Sequence, residues 1–147
     1  MSTRIGFGIV AAATLVMLGG CAVQAPSSLS DSEARDRFVA LLDETQSVVG
    51  GDWSVRDDPT PRECIVPLWV PGERYPALRL ADAPFSIEIT ADRVESAWNA
   101  HELTVTRTEI GDVVELKGES SHGELVLFRV SDSAMTLTGE SECRPVA

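Results

Sequence analysis

From Leu103 to the C-terminus, apolar and polar side chains alternate with a period of two, and the alternation breaks only at short turn signals. The runs "LTVTRTEI", "VVELKGES", "ELVLFRV" and "AMTLTGESEC" are separated by Gly111-Asp112, His122-Gly123 and Asp132-Ser133. Connections that short leave no room for a crossover helix, so each run has to pair with its sequence neighbour; the pattern predicts a four-strand antiparallel meander. "ELVLFRV" is apolar on both faces and belongs at the centre, where helices or loops cover each side. Two-residue turns would set Arg107, Leu116 and Arg129 side by side across three strands. Guanidinium groups are costly on a core face, so this register requires either a bulge or a partly exposed face.

Ahead of the meander the period is helical. Ser30-Asp31-Ser32-Glu33 has the form of a capping box. Phe38, Leu41, Leu42, Thr45, Val48 and Val49 follow at the spacing of one helical face, and Gly50-Gly51 supplies a stop. These signals predict a helix from about residue 31 to 49. "GDWSVRDDPTPREC" reads as a loop, and it leads into a strand "CIVPLWV" that Pro67 places at an edge or a bulge. A short strand at Ala77 to Leu80 comes next. "FSIEIT" then alternates Phe85, Ile87 and Ile89 on one strand face, and Thr90 caps a second helix of roughly Ala91 to Ala100 with Val94, Ala97 and Trp98 inward. The 147 residues, 44% of them hydrophobic, suit one core. The expected fold is α+β: an N-terminal helix and a second short helix packed on an antiparallel sheet that ends in the meander.

The first twenty residues are of another kind. One charge, Arg4, precedes an apolar run from Ile5 to Leu18 that contains no ionisable group. That run has the length of a signal-peptide h-region and is short of the about 20 residues of a membrane-spanning helix. It ends in Leu18-Gly19-Gly20-Cys21, which resembles the bacterial lipoprotein lipobox. The resemblance implies that Cys21 becomes the first mature residue and that its thiol carries a diacylglyceryl group. It divides the chain into a signal peptide (1–20), a lipidated cysteine with a flexible tether (21–30, "CAVQAPSSLS") and one α+β domain (31–147). The expected location is the extracytoplasmic face of the cell membrane, with two or three acyl chains as the anchor.

Charge is consistent with an anchor made of lipid alone. The chain has 23 acidic against 12 basic residues, and loss of Arg4 leaves 11 against 23, or −12. Such a surface repels anionic headgroups, and it repels nucleic-acid phosphate, so no nucleic-acid partner is expected. Cys64 and Cys143 are the pair that remains once Cys21 is set aside, and in an exported chain an even count points to a disulfide.

The lipobox, the segment from Trp53 through Asp57-Asp58-Pro59 to Cys64, and the closing Gly139-Glu140-Ser141-Glu142-Cys143 together resemble the small LppA-like and related uncharacterised lipoproteins of actinobacteria. That resemblance implies an outward-facing, lipid-anchored α+β domain with a disulfide, and it implies no catalytic residue.

A search for chemistry returns little. His101 and His122 have no second histidine at metal-ligand spacing, Asp57-Asp58 lacks the acid spacing of a calcium loop, and no Gly-x-Ser-x-Gly is present. No cofactor or metal is expected. Trp53, Trp69 and Tyr75 lie in or beside irregular segments where exposed aromatics form binding surfaces, and an aligned Arg107 and Arg129 would add a cationic spot. The expected function is non-enzymatic binding of an envelope protein or small ligand. An exported cell-wall hydrolase and a structural or chaperone-like spacer are the alternatives.

Overall fold

The computed structural model describes residues 27–146; the signal-peptide reading, Cys21 and residues 22–26 lie outside the described residues. The capping box is present: the Ser30 side chain accepts from the Glu33 amide, and the Ser30 amide donates to the Glu33 carboxylate at 2.8 Å. Helix α1 runs Asp31–Val49 and buries Ala34, Phe38, Leu41, Leu42 and Thr45. Three short elements and a longer strand follow: β1 (Trp53–Val55), β2 (Arg62–Val66), β3 (Val70–Arg74) and β4 (Pro76–Asp82). After α2 (Ile87–Ala100) come β5 (Thr104–Ile110), β6 (Val113–Glu119), β7 (Leu125–Val130), β8 (Ala134–Glu140) and β9 (Arg144–Pro145).

The meander forms as β5–β8, each strand antiparallel to the next, and β4 and β1 extend it to a six-stranded sheet in the order β1-β4-β8-β7-β6-β5. β2, β3 and β9 make a separate three-stranded sheet. Cys64 on β2 is joined to Cys143, just before β9, by a disulfide with a Cα–Cα distance of 6.1 Å across 79 residues. In the chain-entropy account, closing such a loop stabilises by up to about 4.5 kcal/mol.

Both helices cover the same face of the large sheet. Three rows of side chains cross that face: Val114, Val130, Met135 and Ala81; Leu116, Phe128, Leu137 and Arg79; Gly118, Val126, Gly139 and Ala77. Phe38, Leu41 and Leu42 of α1 and Ala91, Val94 and Trp98 of α2 close over them. Trp98 is fully buried, and its indole N–H donates to Thr45 Oγ1 at 3.0 Å, which ties the two helices together. Gly118 makes this approach feasible, because a Cβ there would lie 2.8 Å from the Trp98 ring. The opposite face carries half-exposed Leu80, Leu125, Leu127, Thr136 and Thr138. β7 is therefore interior to the sheet as its composition predicts, but helices cover it on one side only.

Three expectations are corrected. "FSIEIT" is not a strand: Ser86, not Thr90, is the N-cap, its Oγ accepts from Ile89 N, and the helix starts at Ile87. Ile87, Ala91, Val94 and Trp98 fall on one helical face, a spacing that six residues of apparent alternation conceal. "CIVPLWV" is not one strand but a hairpin: β2 ends at Val66, Pro67-Leu68-Trp69 turns, and β3 begins at Val70. Pro67 marks the turn itself. Arg107 does oppose Leu116, but Arg129 opposes Glu115 and so points to the other face. The β6–β7 connection takes Ser120–Glu124, with Ser120 N donating to Glu124 O at 3.0 Å, and this longer loop sets the register.

The middle row carries an arginine on either side of its apolar centre: Arg79 on β4, with Val55 of the edge strand β1 beyond it, and Arg107 on the edge strand β5. Arg79 is 2% exposed and donates to Asp43 at 2.6 Å, to Gln46, and through Nη2 to Asp57 at 2.9 Å. Burial pushes its pKa down, but the carboxylates of Asp57 and Asp43 more than offset this and leave it above the ordinary arginine value. Arg107, opposite Leu116 on the edge strand, meets Glu88, Asp92 and Glu95 of α2. Of the Asp57-Asp58 pair, Asp57 is committed to Arg79, while Asp58 is exposed to solvent and accepts from the Thr60 amide at 2.9 Å. Asp57→Ala removes one of the two carboxylates that face the buried Arg79 and leaves only Asp43 to balance it, so it should cost about 2 kcal/mol. Arg107→Ala, at a partly exposed network, should cost below about 1 kcal/mol. Urea denaturation of the two variants checks this, and equal losses would contradict the assignment.

Candidate functional site

The elements of the large sheet give the molecule two distinct ends. At one, the C-termini of α1 and β4, the N-terminus of α2 and the β5–β6 and β7–β8 turns meet. At the other, about 20 Å away along β8, lie the start of α1, the disulfide and the first described residue, Ser27.

The first end holds two open clefts on either side of Phe85. One, of about 490 Å³, is lined by Gly50, Asp82, Ile89, Arg93 and Met135 among others; the second, of about 510 Å³, by Glu88, Glu109, Gly111, Val113 and Asp132. The Phe85 side chain is wholly exposed between them. A large, uncovered aromatic beside a helix N-terminus, with Ile89 and Arg93 on one side and acids on the other, offers apolar and charged contacts together. Both volumes are of the size that takes small ligands. No sequence signal separates Phe85 from a strand residue, because the misread alternation hides it.

The second end is built around Glu142, which is 4% exposed. Its two carboxylate oxygens accept from the Ser27 amide at 2.9 Å and the Ser27 hydroxyl at 2.7 Å, and Arg144 Nη1 lies 3.2 Å from Oε1. Ser27 is therefore clamped beside Cys143, and only five residues separate it from Cys21. Tyr75 belongs to this end too: its hydroxyl donates to Asp31 at 3.0 Å, and the Arg35 guanidinium carbon sits 4.8 Å from its ring centroid. The Asp31 hydrogen bond, burial and the acids around it hold the Tyr75 pKa above the usual phenol value.

From this end the β2–β3 hairpin projects. β9 pairs with β3 only at Gly72 and Glu73; Val66 is still buried, and the exposed tip lies beyond it. Leu68 is 91% and Trp69 89% exposed, with Ile65 and Val70 also exposed. Both turn residues have positive φ, 73° for Leu68 and 64° for Trp69. That backbone region favours Gly and Asn and costs a bulky residue roughly 1–2 kcal/mol.

The sequence-predicted aromatics thus do not converge. Trp53 is half-buried on β1 against the core, with its N–H donating to Gly50 O at 3.0 Å; Trp69 is at the hairpin tip; Tyr75 braces α1. Arg107 and Arg129 lie on opposite faces and are met by acids, Arg129 by Glu115 at 2.6 Å. A third recess, of 140 Å³, is lined by Arg37, Glu44, His101, Leu103 and Glu124 among others. His101, the C-cap of α2, is 2.7 Å from Glu44. Burial is the main cause that pushes the Glu124 pKa up; Glu142 adds to it, while Arg37, His101 and His122 oppose it. Among the described residues no His, Cys, Asp and Glu cluster has metal-binding geometry, and no helix is long and apolar enough to cross a membrane.

No family model matches the chain, and no curated protein matches it. Among solved structures, a DUF4853 family protein from Actinomyces odontolyticus has a similar fold, with a TM-score of 0.57 and 18% identity. The alignment covers 82% of this chain and 70% of that one. The neighbour is an actinobacterial protein of an uncharacterised family, and at this identity the likeness concerns the fold alone.

Two predictions follow from the geometry. Replacing Leu68 and Trp69 by Asn and Gly relieves the turn and should raise stability by about 1–2 kcal/mol, read as a higher urea midpoint; a lower midpoint would show that the side chains support the fold. Glu124 titrates with a raised pKa in the folded state. Its contribution is fully present below the unfolded value, near 4.5, and is lost as pH rises through the folded value. Glu124→Gln should therefore stabilise the protein at pH 7 relative to pH 4, and an unchanged pH dependence of the urea midpoint would refute this.

Proposed function

We propose that the protein is a lipid-anchored lipoprotein of the cell envelope, of the LppA-like kind, and that its domain works by binding and not by catalysis. The observation that carries the reading is Leu18-Gly19-Gly20-Cys21 at the end of an uncharged apolar run. The clamp of Ser27 onto Glu142 supports it, because five intervening residues limit the reach from Cys21 to about 20 Å and hold the domain against the membrane. The Phe85 clefts lie at the end of β8 far from the tether. An envelope protein or small ligand with an apolar group for Phe85 and Ile89 and an acid for Arg93 fits there. Against a hydrolase stands the size of the recess at Glu124, the acid best prepared to hold a proton. At 140 Å³ it is smaller than the clefts that take small molecules.

Metabolic labelling with a fatty-acid analogue tests the anchor. The wild type should incorporate label and Cys21→Ala should not; equal labelling of the two would overturn the proposal.

A further inference from the structure

We propose that the β2–β3 hairpin tip is a second membrane contact, in which Leu68 and Trp69 enter the interfacial layer of the bilayer that holds Cys21. The proposal deepens the lipoprotein reading and rests on it. Its first support is the backbone: the turn places two large apolar residues in a conformation that suits glycine, and the fold draws no packing from either of them. Strain kept at an exposed turn points to a use for the side chains.

Its second support is charge. From Cys64 to Gly72 the hairpin carries no ionisable group, and Arg62-Glu63 and Glu73-Arg74 form a balanced collar at its base. A chain of formal charge −12 after Cys21 gains nothing from anionic headgroups, so a favourable bilayer contact has to be uncharged and apolar. Trp is the residue most at home at that boundary, with an apolar ring and a polar N–H.

The third support is reach. Cys64 is bridged to Cys143, next to Glu142, which holds Ser27. Four residues of extended chain from Cys64 to Leu68 span about 13 Å, while the six steps from Cys21 to Ser27 span at most about 20 Å. Tip and tether leave the same end of the domain, and the tether is long enough for the tip to touch the bilayer that holds the acyl chains. A tether alone lets the domain turn about its attachment point. With the tip seated, the domain has a fixed orientation, and the Phe85 clefts face away from the membrane.

Full-length protein reconstituted in phosphatidylcholine vesicles with brominated acyl chains reads this contact by tryptophan fluorescence. Trp98 is buried and Trp53 half-buried, so the difference between wild type and Trp69→Phe isolates Trp69. We expect bromine to remove most of the Trp69 emission, and Leu68→Ser, which leaves the core untouched, to weaken that quenching. Intact mass of the same sample reports the acyl group on Cys21 separately. Quenching without acylation keeps the tip contact and overturns the anchor reading. Trp69 emission indifferent to bromine, with Cys21 acylated, overturns the tip contact and leaves the anchor standing. Trp69 shielded from both bromolipid and aqueous acrylamide would place the tip against a protein, and would also overturn the proposal.

Discussion

The row Arg79, Leu137, Phe128, Leu116, Arg107 sets the rest of the structure in place. Its three central side chains are fully buried under the helices, and its ends are the points where apolar cover gives out. At each end a guanidinium collects carboxylates from a helix: Asp43 of α1 at Arg79, and Glu88, Asp92 and Glu95 of α2 at Arg107. The helices are thereby fixed in position as well as held by apolar contact. The two ends are not equivalent. Arg79 is enclosed, so its charge has to be matched, and Asp57 is drawn from the loop after β1 to match it. Arg107 keeps access to water and depends less on its partners.

The parts of the fold that could be read from the sequence are those where one local signal was strong and uncontested. The capping box before Phe38 and the double glycine after Val49 set α1 to the residue, and turn residues between alternating runs marked β5–β8. Reading failed where a short run fits two periods. Ile87 and Ile89 alternate like a strand, yet Ser86 caps a helix, and only the continuation to Val94 and Trp98 distinguishes the two. It failed again at Pro67, which ends one strand and opens a turn whose next two residues, Leu68 and Trp69, carry no turn signal. Arg79 offered no sign of burial, because its partners Asp43 and Asp57 are 36 and 22 residues away.

The candidate sites divide along the same line. Cys64 and Cys143 pair as the cysteine count predicts. Trp69 stands exposed, but away from Trp53 and Tyr75, so the three aromatics give separate functions: a core contact, a brace for α1 and a projecting tip. The clamp on Ser27 was invisible because Glu142 reads as one acid among 23. Its significance comes from burial beside Arg144 and Cys143, which only the fold creates.

A hairpin with two large residues in left-handed conformation would ordinarily be selected toward Asn and Gly, since those residues close the same turn at lower cost. The cost of Leu68 and Trp69 is local, because neither touches the core and the disulfide holds the hairpin base. The bridge thus isolates the strain from the large sheet. That separation leaves two uncovered features at opposite ends of the molecule, the hairpin tip at one and Phe85 between its two clefts at the other.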